Sequence, residues 1–262
     1  MSGQRLLKII APLAVGLLFL GFWEAVVRIE NIPRYILPGP LLVAETLWTD
    51  GPSLLGSLLV TLRITGAALI AAALIGGAIA LLFARWRVFE ISLFPYAVIL
   101  QVTPIVAIAP LIIIWVKDTF LSLLLCAWIV AFFPIVSNTT LGLNSADRNL
   151  VELFRLYGAS NWQILWRLRL PSALPYFLAW LRISGGLALI GAVVAEFVAG
   201  TGGAETGLAF RILESGYRLQ IPRMFAALVL LSFTGVAIYG VLSLVSWLLL
   251  RRWHESALPR ED

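Results

Sequence analysis

Apolar residues run along this chain in long unbroken stretches, with the polar residues gathered between them. Six stretches approach about 20 residues, the length that crosses hydrocarbon as helix. Continuous rather than alternating apolar runs point to helices and not to a barrel. The pattern predicts spans at about 9–27, 58–83, 91–115, 120–136, 176–199 and 224–250. Two loops on one side are substantial. Residues 28–57 carry "LPGP" and the amphipathic piece "LLVAETLW", and residues 200–222 carry "GTGG" and the short helical piece "LAFRILESGY". The longest loop, about 137–175, lies on the other side. Arg5 and Lys8 precede the first run as they would in a signal peptide. The "GFWEAV" that closes it offers no small-x-small cleavage site, so it reads as an uncleaved span. There is no internal repeat at a fixed period and no low-complexity tail. One all-α transmembrane domain over residues 1–262 accounts for the chain.

Composition agrees. The chain is 61% hydrophobic and 13% charged, with mean hydropathy +0.97. Soluble domains carry about 25% charged residues, so a soluble chain this oily has too little polar surface to cover itself. The net charge of +5 comes from 17 Arg and two Lys, Lys8 and Lys117. In a soluble protein that excess would raise nucleic acid as a partner. Here it reads as the cationic excess of cytoplasmic loops, and no nucleic acid is implied. With the N-terminus inside, eleven Lys and Arg fall inside and six outside, while Arg63 and Arg182 lie in or beside spans. That bias puts both termini, and the 137–175 loop, in the cytoplasm.

Several chemistries are excluded. No G-x-x-x-x-G-K-[ST] occurs and neither Lys follows a Gly, so the chain builds no P-loop and ATP hydrolysis belongs to another subunit. The one Cys, Cys126, sits in an apolar run and cannot form an intrachain disulfide. The one His, His254, lies in the polar tail, and its H-E dipeptide is not followed by x-x-H. Asp50, Asp118, Asp147 and Asp262 are too scattered for a metal motif. No catalytic residue and no metal site is predicted.

The polar insert "ELFRLYGASNWQILWRLRLP", residues 152–171, carries the most information. Leu150, Leu153, Phe154 and Tyr157 fall at i, i+3, i+4 and i+7, one apolar helical face, with Arg148, Glu152 and Arg155 on another. Gly158 is placed to end that helix in a left-handed conformation. Ser160 and Gln163 make an S-x-x-Q capping box that opens a second helix. Pro171 is expected to stop or kink that second helix. Such an elbow either docks another protein or lies on its own bundle and on lipid headgroups, Arg pairing with phosphate. The pattern alone leaves both open.

The insert resembles the cytoplasmic signature of permease subunits of binding-protein-dependent ABC importers: E-A-A, three residues, G, nine residues, I-x-L-P. Glu152, Gly158, Leu170 and Pro171 match, Leu153 and Phe154 replace the two Ala, and Leu168 replaces Ile. The resemblance extends to "ILPGP", "SLLVTLRITGAAL", "TPIVAIAPLIIIW" and "AEFVAGTGGAETGL", which look like the nitrate, sulfonate and taurine branch. Relatives there also carry bicarbonate, riboflavin or pyrimidine precursors. After Trp115 that branch usually has a Phe-Gly loop, where this chain has "VKDTF".

The resemblance implies a type I importer permease of a bacterial cytoplasmic (inner) membrane, a homodimer in membrane lipid. It implies two cytoplasmic ABC ATPase subunits, which bind the ATP and Mg, and a periplasmic or lipid-anchored solute-binding protein. It implies that the elbow is the ATPase-coupling element, through Glu152, Leu153, Phe154, Arg155, Tyr157, Gly158, Ala159, Leu168 and Pro171. The substrate class would be a small organic or inorganic anion or a small heterocycle. The small residues of "RISGGLALIGA" would let the fifth spans approach each other in the dimer.

Ionisable groups within or beside spans are costly, by about 2.5–3.5 kcal/mol at mid-span on insertion scales. Glu24, Arg63, Arg182 and Glu196 are therefore singled out. Arg63 either snorkels or faces the path. Glu196 either anchors the outer loop or lines the path. Gln101, Thr103 and Ser184 are polar groups in apolar runs, read as interhelical hydrogen bonds or as pore lining. Pro104 and Pro110 are expected to break the regular ladder of the third span and free carbonyls there, which suits a pore-facing helix. Gln101, Thr103, Pro104, Ser184 and Glu196 form the candidate translocation path. Two other classes stay open: a secondary transporter, which needs intramembrane carboxylates and usually inverted repeats, and a non-transporting scaffold whose elbow binds another cytosolic protein.

Overall fold

The computed structural model describes residues 2–200 and 206–251, so His254, the end of the polar tail and most of "GTGG" lie outside the described residues. Every regular element among the described residues is a helix. In chain order these are α1 (Ser2–Ile29), α2 (Pro40–Thr49), α3 (Gly51–Arg85), α4 (Arg87–Val102), α5 (Ile105–Trp115), α6 (Thr119–Asn144), α7 (Arg148–Leu156) and α8 (Asn161–Ile164). A π-helical turn (Leu165–Arg169) leads into α9 (Leu170–Ala199), and α10 (Leu208–Tyr217) and α11 (Ile221–Leu250) complete the chain.

Five segments are long and apolar enough to cross a membrane: residues 10–29, 51–85, 119–144, 161–199 and 221–250. The α4/α5 pair makes a sixth if its two halves are one span, bent by 102° at the break. Each of the six predicted spans falls on one of these segments, the first beginning one residue ahead of it. The helices overrun the apolar stretches at the ends that border the long loop. α6 continues to Asn144 and α9 starts at Leu170, so only residues 145–169 lie between them. Polar flanks such as Ser137, Asn138 and Thr139 stay helical. Asn138 Nδ2 donates to Pro134 O (2.9 Å) and Thr140 Oγ1 to Val136 O (2.8 Å), each satisfying its polar group within its own helix.

The chain divides into two compact units. The first comprises residues 1–59 and 202–232. Here the amphipathic helices α2 and α10 set their apolar faces into one cluster of Val43, Leu54, Leu208, Ala226 and Ala227, with Leu47, Leu58 and Ile212 against it. Glu24, an acid at the end of the α1 span, is held by its neighbours. Arg28 Nε donates to its Oε1 (2.7 Å) and Leu41 N–H to its Oε2 (3.3 Å), an orphan donor of the first turn of α2. Gly39 of "LPGP" is required by this approach, because a Cβ there would lie 2.6 Å from Glu24 Oε2. On α10, Glu214 accepts from Arg211 and Arg218 at 2.9 Å each. The Arg211 hydrogen bond holds the Glu214 carboxyl below its usual pKa range.

The second unit comprises residues 60–201 and 233–262. Its centre is the α6–α9 pair, built on small residues. A Cβ on Gly191 would sit 2.8 Å from Ala127 Cα, and one on Gly142 would sit 2.8 Å from Tyr176 Cβ. Without a hydrophobic drive between helices in lipid, such close backbone approach is what holds a pair together. α3 and α5 add Ile64, Ala68 and Ala109 to the buried cluster of Leu123, Cys126, Ala127, Ala192 and Ala195. The Asp118 side chain caps α6 by accepting from Leu121 N–H at 2.7 Å.

The prolines act in different ways. Pro110 lies inside α5, which continues to Trp115, and its missing N–H leaves Val106 O without its partner in the helical ladder. The expectation that Pro171 stops the second helix of the elbow is corrected. α8 passes through the π turn into α9, with Pro171 in the first turn of α9. Pro171 has no N–H to give to Arg167 O, and the π turn moves the hydrogen-bond register past that gap.

Candidate functional site

The elbow, residues 145–169, is fixed at three points by local chemistry. Asp147 caps α7, its side chain accepting from Asn149 N–H at 2.8 Å. At the other end, Gly158 has φ +74°. Gly158 N–H donates to Arg155 O (2.9 Å) and Ala159 N–H to Phe154 O (2.9 Å), the two bonds of a Schellman motif. A Cβ at Gly158 would meet nothing within 4 Å. Glycine is demanded there by conformation and not by space. Ser160 and Gln163 then exchange the expected capping-box bonds. Gln163 Oε1 accepts from Ser160 N–H (2.7 Å) and Ser160 Oγ from Gln163 N–H (3.3 Å). The turn from α7 to α8 is therefore rigid without help from any tertiary contact.

The two arms of the elbow differ in anchorage. In the second arm, Ile164 and Leu165 are buried, and Leu165 joins Ala80, Leu143 and Ala173 in one cluster. In the first arm, α7 has no buried residue. Leu153 is 45% exposed, and Leu156 and Tyr157 are 85% exposed. Glu152 is exposed on the same helix, while Phe154 and Ala159 are half-buried. Leu168 is half-buried and Pro171 exposed where the second arm enters α9. Leu156 was not singled out in the sequence, because it falls off the face defined by Leu150, Leu153, Phe154 and Tyr157. Its position at the very end of α7, beside an obligatory turn, was the available signal.

The candidate path residues do not gather in one place. Gln101, Thr103 and Pro104 mark the 102° break between α4 and α5. Gln101 and Pro104 are exposed. Thr103 turns its hydroxyl back to Ile99 O (2.7 Å) and its N–H to the same carbonyl (3.1 Å), closing the end of α4. Pro104 carries no N–H for Leu100 O, which is why the ladder ends there. Ser184 is fully buried in α9, and its Oγ makes no hydrogen bond among the described residues. Glu196 lies twelve residues further along the same helix, about 18 Å at 1.5 Å per residue. It is buried and accepts from Thr61 Oγ1 across to α3 at 2.7 Å. Thr61 was visible in "LLVTLRITGAAL" as a hydroxyl inside an apolar run, but nothing in sequence named its partner. Arg63 is exposed, whereas Arg182 is half-buried with its Nε unpartnered. Of the small residues in "RISGGLALIGA", Gly185 and Gly191 face Leu242 and Ala127 of this same chain, and Gly186 is the open one.

Helices long and apolar enough to cross a membrane, a broken pair among them, and a polar elbow between two of the spans describe a multi-pass membrane protein. Comparison with known proteins gives the family. Residues 68–257 match the family described as "Binding-protein-dependent transport system inner membrane component". The chain is 32% identical over 245 residues to a probable ABC transporter permease protein of Haemophilus influenzae, covering 94% of this chain and 97% of that one. It is 36% identical to the riboflavin transport system permease protein RibX of Chloroflexus aurantiacus, covering 92% and 88%. It is 32% identical to the formylaminopyrimidine transport permease protein ThiX of Halalkalibacterium halodurans, covering 89% and 92%. In fold it is similar to an amino acid ABC transporter solved with histidines, at a TM-score of 0.63 and 18% identity, over 76% of this chain and 95% of that one. It is likewise similar to the MetNI methionine ABC transporter in inward-facing form, at a TM-score of 0.60 and 21% identity, over 74% and 94%. The chain belongs to the binding-protein-dependent transport system inner membrane components, the permease subunits of ABC importers.

Proposed function

We propose that the elbow is where this permease meets its ATPase. The observation that carries this reading is α7: a helix outside the spans, locked at both ends, whose Leu153, Leu156 and Tyr157 are exposed beside Glu152. An exposed apolar face rimmed by charge is the mark of a protein interface. In this reading Leu153, Leu156 and Tyr157 fill apolar space on the ATPase, Phe154 packs behind them, and Glu152 sets the register. Ala159, Leu168 and Pro171 complete the surface and its return to the membrane, while Arg155 lines a cavity beside Arg85 and Asn161.

The geometry also supplies a route for the motion. From Asn161 the chain is helical through α8 and the π turn to Ala199. A push on α7, passed through the rigid Gly158 turn, therefore moves α9, the helix that carries Ser184 and Glu196. Two ATPase subunits, binding ATP and Mg, would close and open this lever. α9 and the broken α4/α5 pair would then switch the path between its two faces. A second copy of the chain completes the path, meeting the first along the open stripe of Ile183, Gly186, Ile190 and Phe197 on α9. Both termini and the elbow lie in the cytoplasm, in keeping with the charge bias.

For the solute, the relatives named for riboflavin and for formylaminopyrimidine favour a small heterocycle. A small sulfonate is the second reading, carried by the aliphatic sulfonate permease SsuC of Bacillus subtilis, 27% identical over 82% of this chain. Selection rests with the binding protein that delivers the solute. A thermal-shift screen of that protein tests the class directly. Stabilisation by a flavin or a pyrimidine supports the first reading, and stabilisation by alkanesulfonates alone overturns it.

A further inference from the structure

Two cavities meet where α3 ends beside the second arm of the elbow. The larger, about 410 Å³, is apolar and aromatic, lined by Leu81, Leu82, Trp86, Trp162, Trp166 and their neighbours. The smaller, about 200 Å³, is lined by Arg85, Arg155, Arg169 and Asn161, with Ala84, Ile164 and Leu165. They share Arg85 and Leu165 in their linings and so lie side by side. No carboxylate lines either. None of the three arginines forms an ion pair with a carboxylate among the described residues, although other arginines of the chain do. Arg169 donates to Ala84 O at 3.4 Å, and the Arg85 guanidinium lies 5.3 Å from the Trp86 ring centroid. Each guanidinium has five N–H donors, so these contacts leave donors for an oxyanion.

Three cations around one small cavity repel each other unless an anion sits among them. The anion must also account for the apolar cavity beside it. The apolar stretch of α3 gives way to Arg85 at its end, the order in which a span passes from hydrocarbon to lipid headgroups. Trp86, Trp162 and Trp166 stand at that level, where tryptophan rings sit half in lipid, and Trp162 and Trp166 meet edge-on at 5.4 Å. A free phosphate or an acidic segment of protein fills the arginine cavity and leaves the tryptophan-lined one unexplained. A phosphate diester with an acyl chain fills both. We propose that this paired cavity binds an anionic phospholipid, its phosphate among Arg85, Arg155 and Arg169 and its acyl chain along Leu81, Leu82, Trp162 and Trp166. The lipid then wedges the second arm of the elbow against the end of α3. The proposal rests on the chain spanning a membrane and not on the coupling role of α7.

The test uses the full chain with its ATPase in nanodiscs containing phosphatidylglycerol or phosphatidylcholine with brominated acyl chains. The signal is the tryptophan quenching lost in the Trp162→Phe/Trp166→Phe double variant. Phosphatidylglycerol should quench that component at a roughly tenfold lower mole fraction than phosphatidylcholine, because both carry the phosphate but the choline cation of the second is repelled by the three arginines. Arg85→Gln/Arg155→Gln/Arg169→Gln should erase the preference. Arg155→Gln alone, in a helix with no buried residue, should reduce it and serves if the triple variant does not accumulate. Inorganic phosphate should leave the preference intact. Equal quenching by the two lipids, or a preference that survives the arginine changes, overturns the proposal. Loss of the preference on adding inorganic phosphate would assign the site to a free anion. Loss of the ATPase with the lipid preference intact would assign the arginines to protein docking.

Discussion

The two arms of the elbow are of similar composition and opposite fate. Both are short, both carry arginine, and both are rich in large apolar side chains. Yet α8 and the π turn bury Ile164 and Leu165 against their own bundle, whereas α7 buries nothing. The second arm is thus part of the membrane domain, continuous with α9, and the first is a rigid projection from it. A helix of nine residues is too short to persist on its own in water. What holds α7 is the Asp147 cap at one end and the Schellman turn at the other. Leu156 and the adjoining Tyr157, each 85% exposed, gain little from the chain itself, and Leu153 is only partly covered, which is why they read as a surface made for something else.

The comparison breaks most sharply at Gly158, the joint between the arms. A β-branched residue at φ +74° is strained by about 1–3 kcal/mol. Gly158→Val is therefore expected to reorient α7 and abolish uptake, while membrane abundance stays normal because the joint lies outside the spans. Gly158→Asn, which tolerates the left-handed region, should retain most uptake. Equal uptake by wild type and Gly158→Val in a membrane-vesicle assay would remove the elbow from the mechanism.

The next effect separates anchor from projection. Leu165→Ala empties space against Ala80, Leu143 and Ala173, and should lower membrane abundance and thermal stability, a loss of about 2–5 kcal/mol. Leu156→Asp, on an 85% exposed side chain, should leave abundance and melting unchanged but cut ATPase retention on co-purification. If the two variants behave alike, the distinction between the arms fails.

A smaller effect is expected from Ser160→Ala. It removes one half of the capping box at a cost of about 1 kcal/mol, so uptake should fall a few-fold without loss of protein. In the unit that holds α10, Glu214→Gln tests a pH dependence. The folded Glu214 carboxyl has a depressed pKa, chiefly through its bond from Arg211. Its stabilisation is present above the ordinary carboxylate range and is lost as pH falls through that range toward the lower folded value. The wild type should melt above Glu214→Gln at neutral pH and converge with it in acid. A gap that persists in acid would mean that the carboxylate charge is not what holds α10.

Much of this architecture was legible from residue spacing. The spans, the amphipathic α2 and α10, the Gly158 turn and the Ser160–Gln163 box depend on nearest neighbours in the chain, and local chemistry determines them. Proline was read less well, because its effect depends on position within a helix and not on its presence. Pro104 stands at a 102° break, whereas Pro110, six residues on, lies within a continuous α5. Pro171 was absorbed by a π turn that no periodicity announces. The Thr61–Glu196 bond and the arginine cavity were not legible at all, since each joins residues far apart in sequence. The small residues of α9 looked like one uniform stripe and turned out to be divided, with Gly185 and Gly191 packed inside the chain and Gly186 left open.

The central claim, that the first arm of the elbow docks the ATPase, is tested most directly by site-specific crosslinking in membranes that hold the whole transporter. A photoreactive side chain is placed at Tyr157 in one variant and at Trp162 in another, and the products are identified by mass. The account predicts a Tyr157 crosslink to the ATPase, and a Trp162 adduct to lipid or to this chain. Tyr157 adducts confined to lipid or to the chain itself, with the ATPase present and bound, would contradict it.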